Sequence, residues 1–286
     1  MNKIRKCIIP VAGHGTRFLP ITKALPKEML PILDKPVVQY VVEEAVASGI
    51  TDIILVTGYN KRAVEDHFDF HSELESWLQK NKKLEQLEQI RKIAQLANFI
   101  YIRQKGHYGN GTPILNAAHL IGNEPFAVAW GDDLFVGHTP RLAQMIKVYE
   151  KYQDPVLCGV KVDAEGAKKY GMIEGLEVEK GVYQVKKLKE KPGPEKTESR
   201  MASIGAYILT PDIFNELKTT PVRAGELWLP DAIDRMLKRR SIYAKLIEGT
   251  YYDIGSKIGW LKANIEIGLQ DSAVRPALKK LLKKVK

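Results

Sequence analysis

The sequence predicts an α/β fold built on a mixed, mostly parallel sheet covered by helices. Short apolar runs alternate with longer stretches of helical spacing through the first half. The runs are continuous rather than alternating, which is the pattern of strands buried on both faces. With 286 residues, 44% of them hydrophobic, the chain can bury a large core.

The elements follow in order. Cys7-Ile8-Ile9-Pro10-Val11-Ala12 reads as a first strand that ends in a glycine loop. Val37 to Ala47 has helical spacing, and Ile53-Ile54-Leu55-Val56 reads as a second strand. Residues 70–98 are charged with apolar positions at helical spacing (Leu74, Trp77, Leu78, Leu84, Leu87, Ile90, Ile93, Leu96), a helical insertion before the third strand Phe99-Ile100-Tyr101-Ile102. A helix starts at Pro113, and Phe126 to Trp130 forms a fourth strand. Thr139-Pro140 is placed to cap the next helix. Beyond Pro155 strands are expected at 156–162, 171–175, 182–189 and 203–209, and helices at 211–218, 226–239 and 257–270. No internal repeat or linker divides residues 1–270, read as one domain with halves at about 1–135 and 136–256.

Charge and composition narrow the function. The net charge of +10 calls for an anionic partner. Much of the excess lies in residues 271–286, where Arg275, Lys279, Lys280, Lys283, Lys284 and Lys286 occur beside an apolar stripe of Leu278, Leu281, Leu282 and Val285. That pattern reads as a basic terminal helix docked on its apolar face. No zinc-finger, helix-turn-helix or RNP-type pattern accompanies it, so no nucleic-acid partner is expected. No apolar run approaches the roughly 18 residues of a membrane span, and the N-terminus lacks a signal-peptide pattern, so no membrane partner and a cytoplasmic location are expected. Cys7 and Cys158 are read as buried free thiols. His67 and His71, at i and i+4, have no carboxylate or cysteine to complete a metal site.

The chemistry is concentrated after the first strand, in Val11-Ala12-Gly13-His14-Gly15-Thr16-Arg17, followed by Lys23 and Pro26-Lys27-Glu28-Met29-Leu30-Pro31. Two glycines let backbone N–H groups approach phosphate oxygens. Arg17 offers a planar fork, and Lys23 or Lys27 a compact charge. The Rossmann fingerprint fails because its third glycine position holds Phe18, and no Gly-Lys-Ser/Thr closes a Walker A loop. A sheet of this class binds ligands beyond the carboxyl ends of its strands, which puts Gly13, Gly109 to Gly111 and Gly131-Asp132-Asp133 on one rim.

Gly-x-Gly-Thr-Arg with Pro-Lys ten residues later resembles the signature loop of the sugar-1-phosphate nucleotidyltransferases. Pro-Lys-Glu-Met-Leu-Pro, Lys35-Pro36, Gln39-Tyr40 and the helical insertion are most similar to the bacterial UTP–glucose-1-phosphate uridylyltransferase branch. The likeness extends to about residue 270. It implies a Rossmann-like nucleotide-diphospho-sugar transferase fold, a nucleoside triphosphate and a sugar 1-phosphate as partners, Mg²⁺ as cofactor, and assembly as a homodimer or homotetramer. The implied reaction moves a uridylyl group from UTP to glucose 1-phosphate; a thymidylyltransferase and a non-catalytic nucleotide-sugar sensor are the alternatives.

The resemblance also implies roles. Arg17, Lys27 and Lys191 are the expected catalytic residues. Ala12, Gly13, Gly15, Thr16, Glu28, Gln104, Gly109, Gly111 and Asp132 are expected at the nucleotide, with the Gln104 amide reading the base and the glycines admitting its ring. Asp132 and Asp253 are the implied metal ligands, and two oxygen donors leave room for the waters and phosphates that Mg²⁺ keeps. Gly171, Glu190, Lys191 and Gly205 are expected at the sugar phosphate. The chain departs from the family pattern at Thr112, Asp133, Ala206 and Gly225 to Asp231.

Overall fold

The computed structural model describes residues 3–284, so Val285 and Lys286 of the terminal stripe lie outside the described residues. Strand β1 (Lys6–Pro10) gives way to three single 3-10 turns at Thr16–Phe18, Ile21–Lys23 and Lys27–Met29. A short ribbon, β2 (Pro31–Ile32) and β3 (Lys35–Pro36), leads into α1 (Val37–Ala47) and β4 (Asp52–Thr57). Helix α2 (Arg62–His67) precedes the insertion, which holds α3 (Ser72–Lys80) and α4 (Leu84–Ala94) and is followed by β5 (Asn98–Arg103). Next come α5 (Thr112–Asn116), α6 (Ala118–Ile121), β6 (Phe126–Ala129), β7 (Asp133–Val136), α7 (Arg141–Tyr152) and β8 (Val156–Lys161). The second half contains β9 (Gly171–Glu179), β10 (Val182–Glu190), β11 (Met201–Leu209), α8 (Ile213–Thr219), α9 (Leu229–Met236), β12 (Tyr243–Leu246), β13 (Thr250–Asp253), α10 (Lys257–Gly268) and α11 (Arg275–Leu282).

Nine strands form one sheet in the order β5-β4-β1-β6-β11-β8-β12-β10-β9. The first four are mutually parallel. From β11 onward antiparallel pairing dominates, with β12 and β8 parallel to each other. The alternation of side chains along β1 and β4 builds two cores. Cys7, Ile9, Ile53 and Leu55 pack with α1 and α7, whereas Ile8, Ile54 and Val56 join the core that holds residues of α5, α8 and α9. Each fully buried Val, Leu or Ile contributes about 1.5–3 kcal/mol, so these two layers fix the rim on which the loops after β1, β4 and β6 sit.

Several expectations change in detail. The insertion is two helices, and only Leu78 and Leu87 of its predicted apolar positions are buried; Leu74, Trp77 and Leu84 face outward. The cap at α7 is not Thr139: its N-terminus starts at Pro140 without a side-chain cap, and Glu44 of α1 instead accepts from Leu142 N at 3.0 Å while gripping the wholly buried Arg141. A tertiary carboxylate thus does the work of a local cap. Both cysteines are buried and free. The terminal helix is barely docked: α11 has no buried residue, and Leu281 and Leu282 are exposed. No described helix is long and apolar enough to cross a membrane.

Candidate active site

The glycine hairpin is held from both sides. Val11 N donates to Val56 O at 2.9 Å, extending the β1–β4 pairing into the loop. A Cβ on Gly58 would lie 3.0 Å from Ala12 O, so the end of β4 backs the hairpin closely. Gly15 has φ 67, and Thr22 Oγ1 donates to its carbonyl at 2.8 Å. Lys27 runs beneath: Cβ positions at Gly13 and Gly15 lie 3.4 Å from Lys27 Cε and 3.1 Å from Lys27 Cβ. Gly13, Thr16 and Arg17 are exposed, free to meet an anion from above.

Lys27 Nζ reaches Asp132 Oδ2 at 2.5 Å. Burial disfavours the ammonium, but the Asp132 and Glu28 carboxylates outweigh it and hold the lysine pKa above its ordinary value. Lys27 therefore enters the site as a cation.

Asp253 arrives by a different route. Antiparallel pairing of β13 with β7 sets Asp253 opposite Asp133, one residue from Asp132. A Cβ on Gly255 would lie 3.1 Å from Asp253 Oδ1, 3.2 Å from Arg17 Nη1 and 3.5 Å from Asp132 Oδ2. Two carboxylate oxygens and one guanidinium thus surround a single point, and Arg17 Nη1 is tethered there by Gly255 O at 3.3 Å. Among the described residues no group of three or more His, Cys, Asp or Glu could hold a metal. The pair suits a hard divalent ion that completes its shell with water and phosphate. His67 and His71 do other work: His67 Nε2 lies 2.9 Å from Gln39 Oε1, and His71 Nδ1 accepts from Leu74 N.

Two acids stand behind this surface. Glu28, expected at the nucleotide, is buried and pairs with Lys61 at 2.7 Å. Asp133 is also buried. Its Oδ2 accepts from Gly205 N at 3.0 Å and its Oδ1 from Tyr251 OH at 3.1 Å. Burial and the adjacent Asp132 push its carboxyl up to about 7. It neither faces solvent nor points at the hairpin; it ties β11 to β13.

The loop after β5 packs closely against residues 217–227. Gln104 is half-buried and extends the β5–β4 pairing through its N–H to Thr57 O at 2.8 Å. At Gly109 and Gly111 the protein itself leaves no room for a side chain. Gly109 has φ 107, and a Cβ there would lie 2.3 Å from Leu227 O; one on Gly111 would meet Leu217 at 2.8 Å. Their vacant sides are filled by protein, and Gly111 N donates to Leu227 O at 2.9 Å.

On the other flank Gly171 pairs with Glu190 across β9 and β10, and its missing Cβ leaves 3.0 Å for Glu190 Oε2. Lys191 takes the left-handed conformation at φ 44, a position that costs a non-glycine residue of order 1 kcal/mol. Its Nζ lies 3.7 Å from Glu190 Oε1 and 5.8 Å from the Trp228 ring centre. Tyr170, beside Gly171, faces the Asp253 carboxylate; burial, Asp253 and Asp133 push its phenol up to about 12. Gly205, expected at the sugar phosphate, is enclosed by protein. It is buried, and a Cβ there would overlap Trp130 Cδ1 at 1.9 Å and Asp133 Oδ2 at 2.1 Å.

Residues 6–268 match the family model described as nucleotidyl transferase. The chain belongs to that family. This nucleotidyl transferase is 50% identical over 278 residues to the UTP–glucose-1-phosphate uridylyltransferase YngB of Bacillus subtilis, covering 97% of this chain and 94% of that protein. It is 47% identical to the UTP–glucose-1-phosphate uridylyltransferase of Staphylococcus epidermidis, over 100% of this chain and 99% of that one. Among solved structures it resembles a UDP-glucose pyrophosphorylase complexed with UDP-glucose (44% identity, TM-score 0.85, 94% and 100% of the two chains). It also resembles a UTP-bound UGPase from Acinetobacter baumannii (34% identity, TM-score 0.92, 99% and 100%).

Sequence reasoning missed three side chains of this nucleotidyl transferase. Lys61, Tyr251 and Trp130 define the rear of the site through Glu28, Asp133 and Gly205. The only sequence signal for Lys61 was Gly58-Tyr59-Asn60-Lys61, a turn directly after a buried strand, with Asn60 at φ 60.

Proposed function

We propose that this chain transfers the uridylyl group of UTP to glucose 1-phosphate, releasing pyrophosphate and UDP-glucose. The names of relatives similar along their whole length support the reading. The observation that carries it is the meeting of Arg17, Lys27, Asp132 and Asp253 beneath and beside an exposed glycine hairpin.

The barrier is the approach of one anion to another. A phosphate monoester with a second pKa of about 6 is largely dianionic at neutral pH, so its oxygen attacks the α-phosphorus in line without a general base. The N–H groups of Ala12 to Thr16 and the charges of Arg17 and Lys27 hold the β- and γ-phosphates and stabilise the pyrophosphate that leaves. Lys191, with Glu190 against the sugar hydroxyls, holds the attacking phosphate, and Gln104 reads the base. Asp132 and Asp253 are the residues that would hold Mg²⁺, which when bound supplies further neutralisation of phosphate charge. The division of labour follows the sheet, with the nucleotide on residues 1–135 and the sugar phosphate on 136–256.

Pyrophosphate release measured with UTP, dTTP, CTP, GTP and ATP against a panel of sugar 1-phosphates tests the proposal. UTP with glucose 1-phosphate should give the highest kcat/KM. A preference for dTTP, or for another sugar phosphate, would overturn the substrate assignment.

A further inference from the structure

Lys61 lies outside the phosphate-binding motif, yet its side chain is only 5% exposed and ends 2.7 Å from Glu28 Oε2. Glu28 has a side-chain exposure of 1%, and its Oε1 has no hydrogen-bond partner. A buried carboxylate is tolerated only when a cation or several donors compensate it. Two cations are near. Lys61 makes direct contact, and Lys27, from the same 3-10 turn as Glu28, spends its ammonium on Asp132.

We propose that Lys61 is a positioning residue that acts through Glu28; the idea rests on the reading that the hairpin receives a triphosphate. By neutralising Glu28 it keeps the floor of the hairpin from repelling a polyanion. It also leaves Lys27 directed at Asp132 and the phosphates. With Lys61 removed, Glu28 either attracts the Lys27 ammonium or stands as an uncompensated negative charge behind Gly131, whose Cβ position is 3.3 Å from Glu28 Cγ. Either outcome weakens the grip on an anion. Because Glu28 and Lys27 share one turn of three residues, the Lys61 contact also fixes the turn from which Lys27 extends.

The rival role is direct contact with substrate, since Lys61 also lines a cavity of about 350 Å³ with Gly13, His14 and Thr16. Variants Lys61→Met, Lys61→Arg, Glu28→Gln and the double Glu28→Gln/Lys61→Met separate the two. UTP affinity by titration calorimetry, and kcat and KM for UTP by pyrophosphate release, are the readouts. Lys61→Met should weaken UTP at least tenfold, chiefly in KM. The double variant, which removes both charges with little change of volume, should return to within about threefold of Glu28→Gln, and Lys61→Arg should stay near wild type. The inference is overturned if Lys61→Met binds UTP like wild type, or if the double variant remains as weak as Lys61→Met, which would make Lys61 a direct ligand. Should Lys61→Met not fold, the double variant decides by binding or not binding UTP. If wild type binds dTTP rather than UTP, the substrate reading fails, and the same variants titrated with dTTP still judge Lys61.

Discussion

The Lys27 ammonium lies 2.5 Å from Oδ2 of Asp132, closing a contact between segments 105 positions apart. This contact joins the two halves of the charge problem, because the cation proposed to meet phosphate is held by a carboxylate that is itself a candidate metal ligand. Replacing Lys27 with Met removes a preorganised charge from the reacting phosphates. Loss of one such group costs about 10²–10³ in kcat. Pyrophosphate release should therefore fall by that factor at saturating UTP, and unchanged turnover would remove Lys27 from the catalytic set.

Asp132 and Asp253 should behave as a pair. Each contributes an oxygen within 3.5 Å of the same point beside Gly255. Asp132→Asn and Asp253→Asn should each raise the Mg²⁺ concentration needed for half-maximal turnover by tenfold or more. The double variant should lose little beyond the worse single one, because residues that act as a unit are not additive. A Mg²⁺ titration of all three checks this; an unchanged midpoint in the double variant would refute metal binding here.

Gly205 gives a stability test of a residue that sequence resemblance placed at the sugar. Gly205→Ala forces a Cβ against the Trp130 ring and the Asp133 carboxylate. Overpacking of this kind typically costs 1–3 kcal/mol. At about 2–4 °C per kcal/mol for a chain of this size, Tm should drop by several degrees. Thermal unfolding with and without UDP-glucose would distinguish this packing role from a direct sugar contact, which would lower ligand stabilisation while sparing the unliganded Tm.

The parts of this architecture that sequence reveals are those governed by local rules. Ile53 to Val56 and Phe126 to Ala129 announce themselves as doubly buried strands, and the Gly13–Arg17 loop as an anion site, because period and glycine placement are written in consecutive residues. The strands Asp133–Val136, Tyr243–Leu246 and Thr250–Asp253 are as short as Phe126–Ala129, but each contains a charged residue (Asp133, Lys245, Asp253) that breaks the continuous apolar run, and they exist through their partners. The packing around the candidate site was illegible for one reason. The neighbours that pack against Glu28, Gly109 and Gly205 are Lys61, Leu227 and Trp130, each distant in sequence. The α7 cap fails for the same reason, as Glu44 lies 98 positions from Leu142.

His67 carries a pH signature. Burial holds its imidazole below the usual pKa, against the pull of Glu43. Between the folded value and about 6.5 the unfolded chain binds more protons than the folded one, so stability is full above 6.5 and declines as pH falls through that window. His67→Gln should flatten the part of the Tm-versus-pH curve between pH 7.5 and 5.5 relative to wild type. Parallel curves for the two proteins would show that His67 titrates without coupling to folding.

The basic terminal helix separates charge from catalysis. None of the residues of α11 is buried, and its Leu278 reaches the body at Gly268, whose Cβ position lies 2.9 Å from Leu278 Cδ2. Among the described residues Arg275, Lys279, Lys280, Lys283 and Lys284 make no ion pair, and none of them takes part in the Lys27–Asp132 contact. Deleting residues 272–286 exposes little core, and surface changes of this kind are usually worth within about 0.5 kcal/mol. Tm should move by no more than about 2 °C and kcat/KM by less than twofold, while elution from heparin shifts to lower salt because the tail carries much of the excess positive charge. A tenfold loss of turnover in the deletion would show that the helix reaches the active site, and unchanged heparin elution would place the anion-attracting surface elsewhere on the molecule.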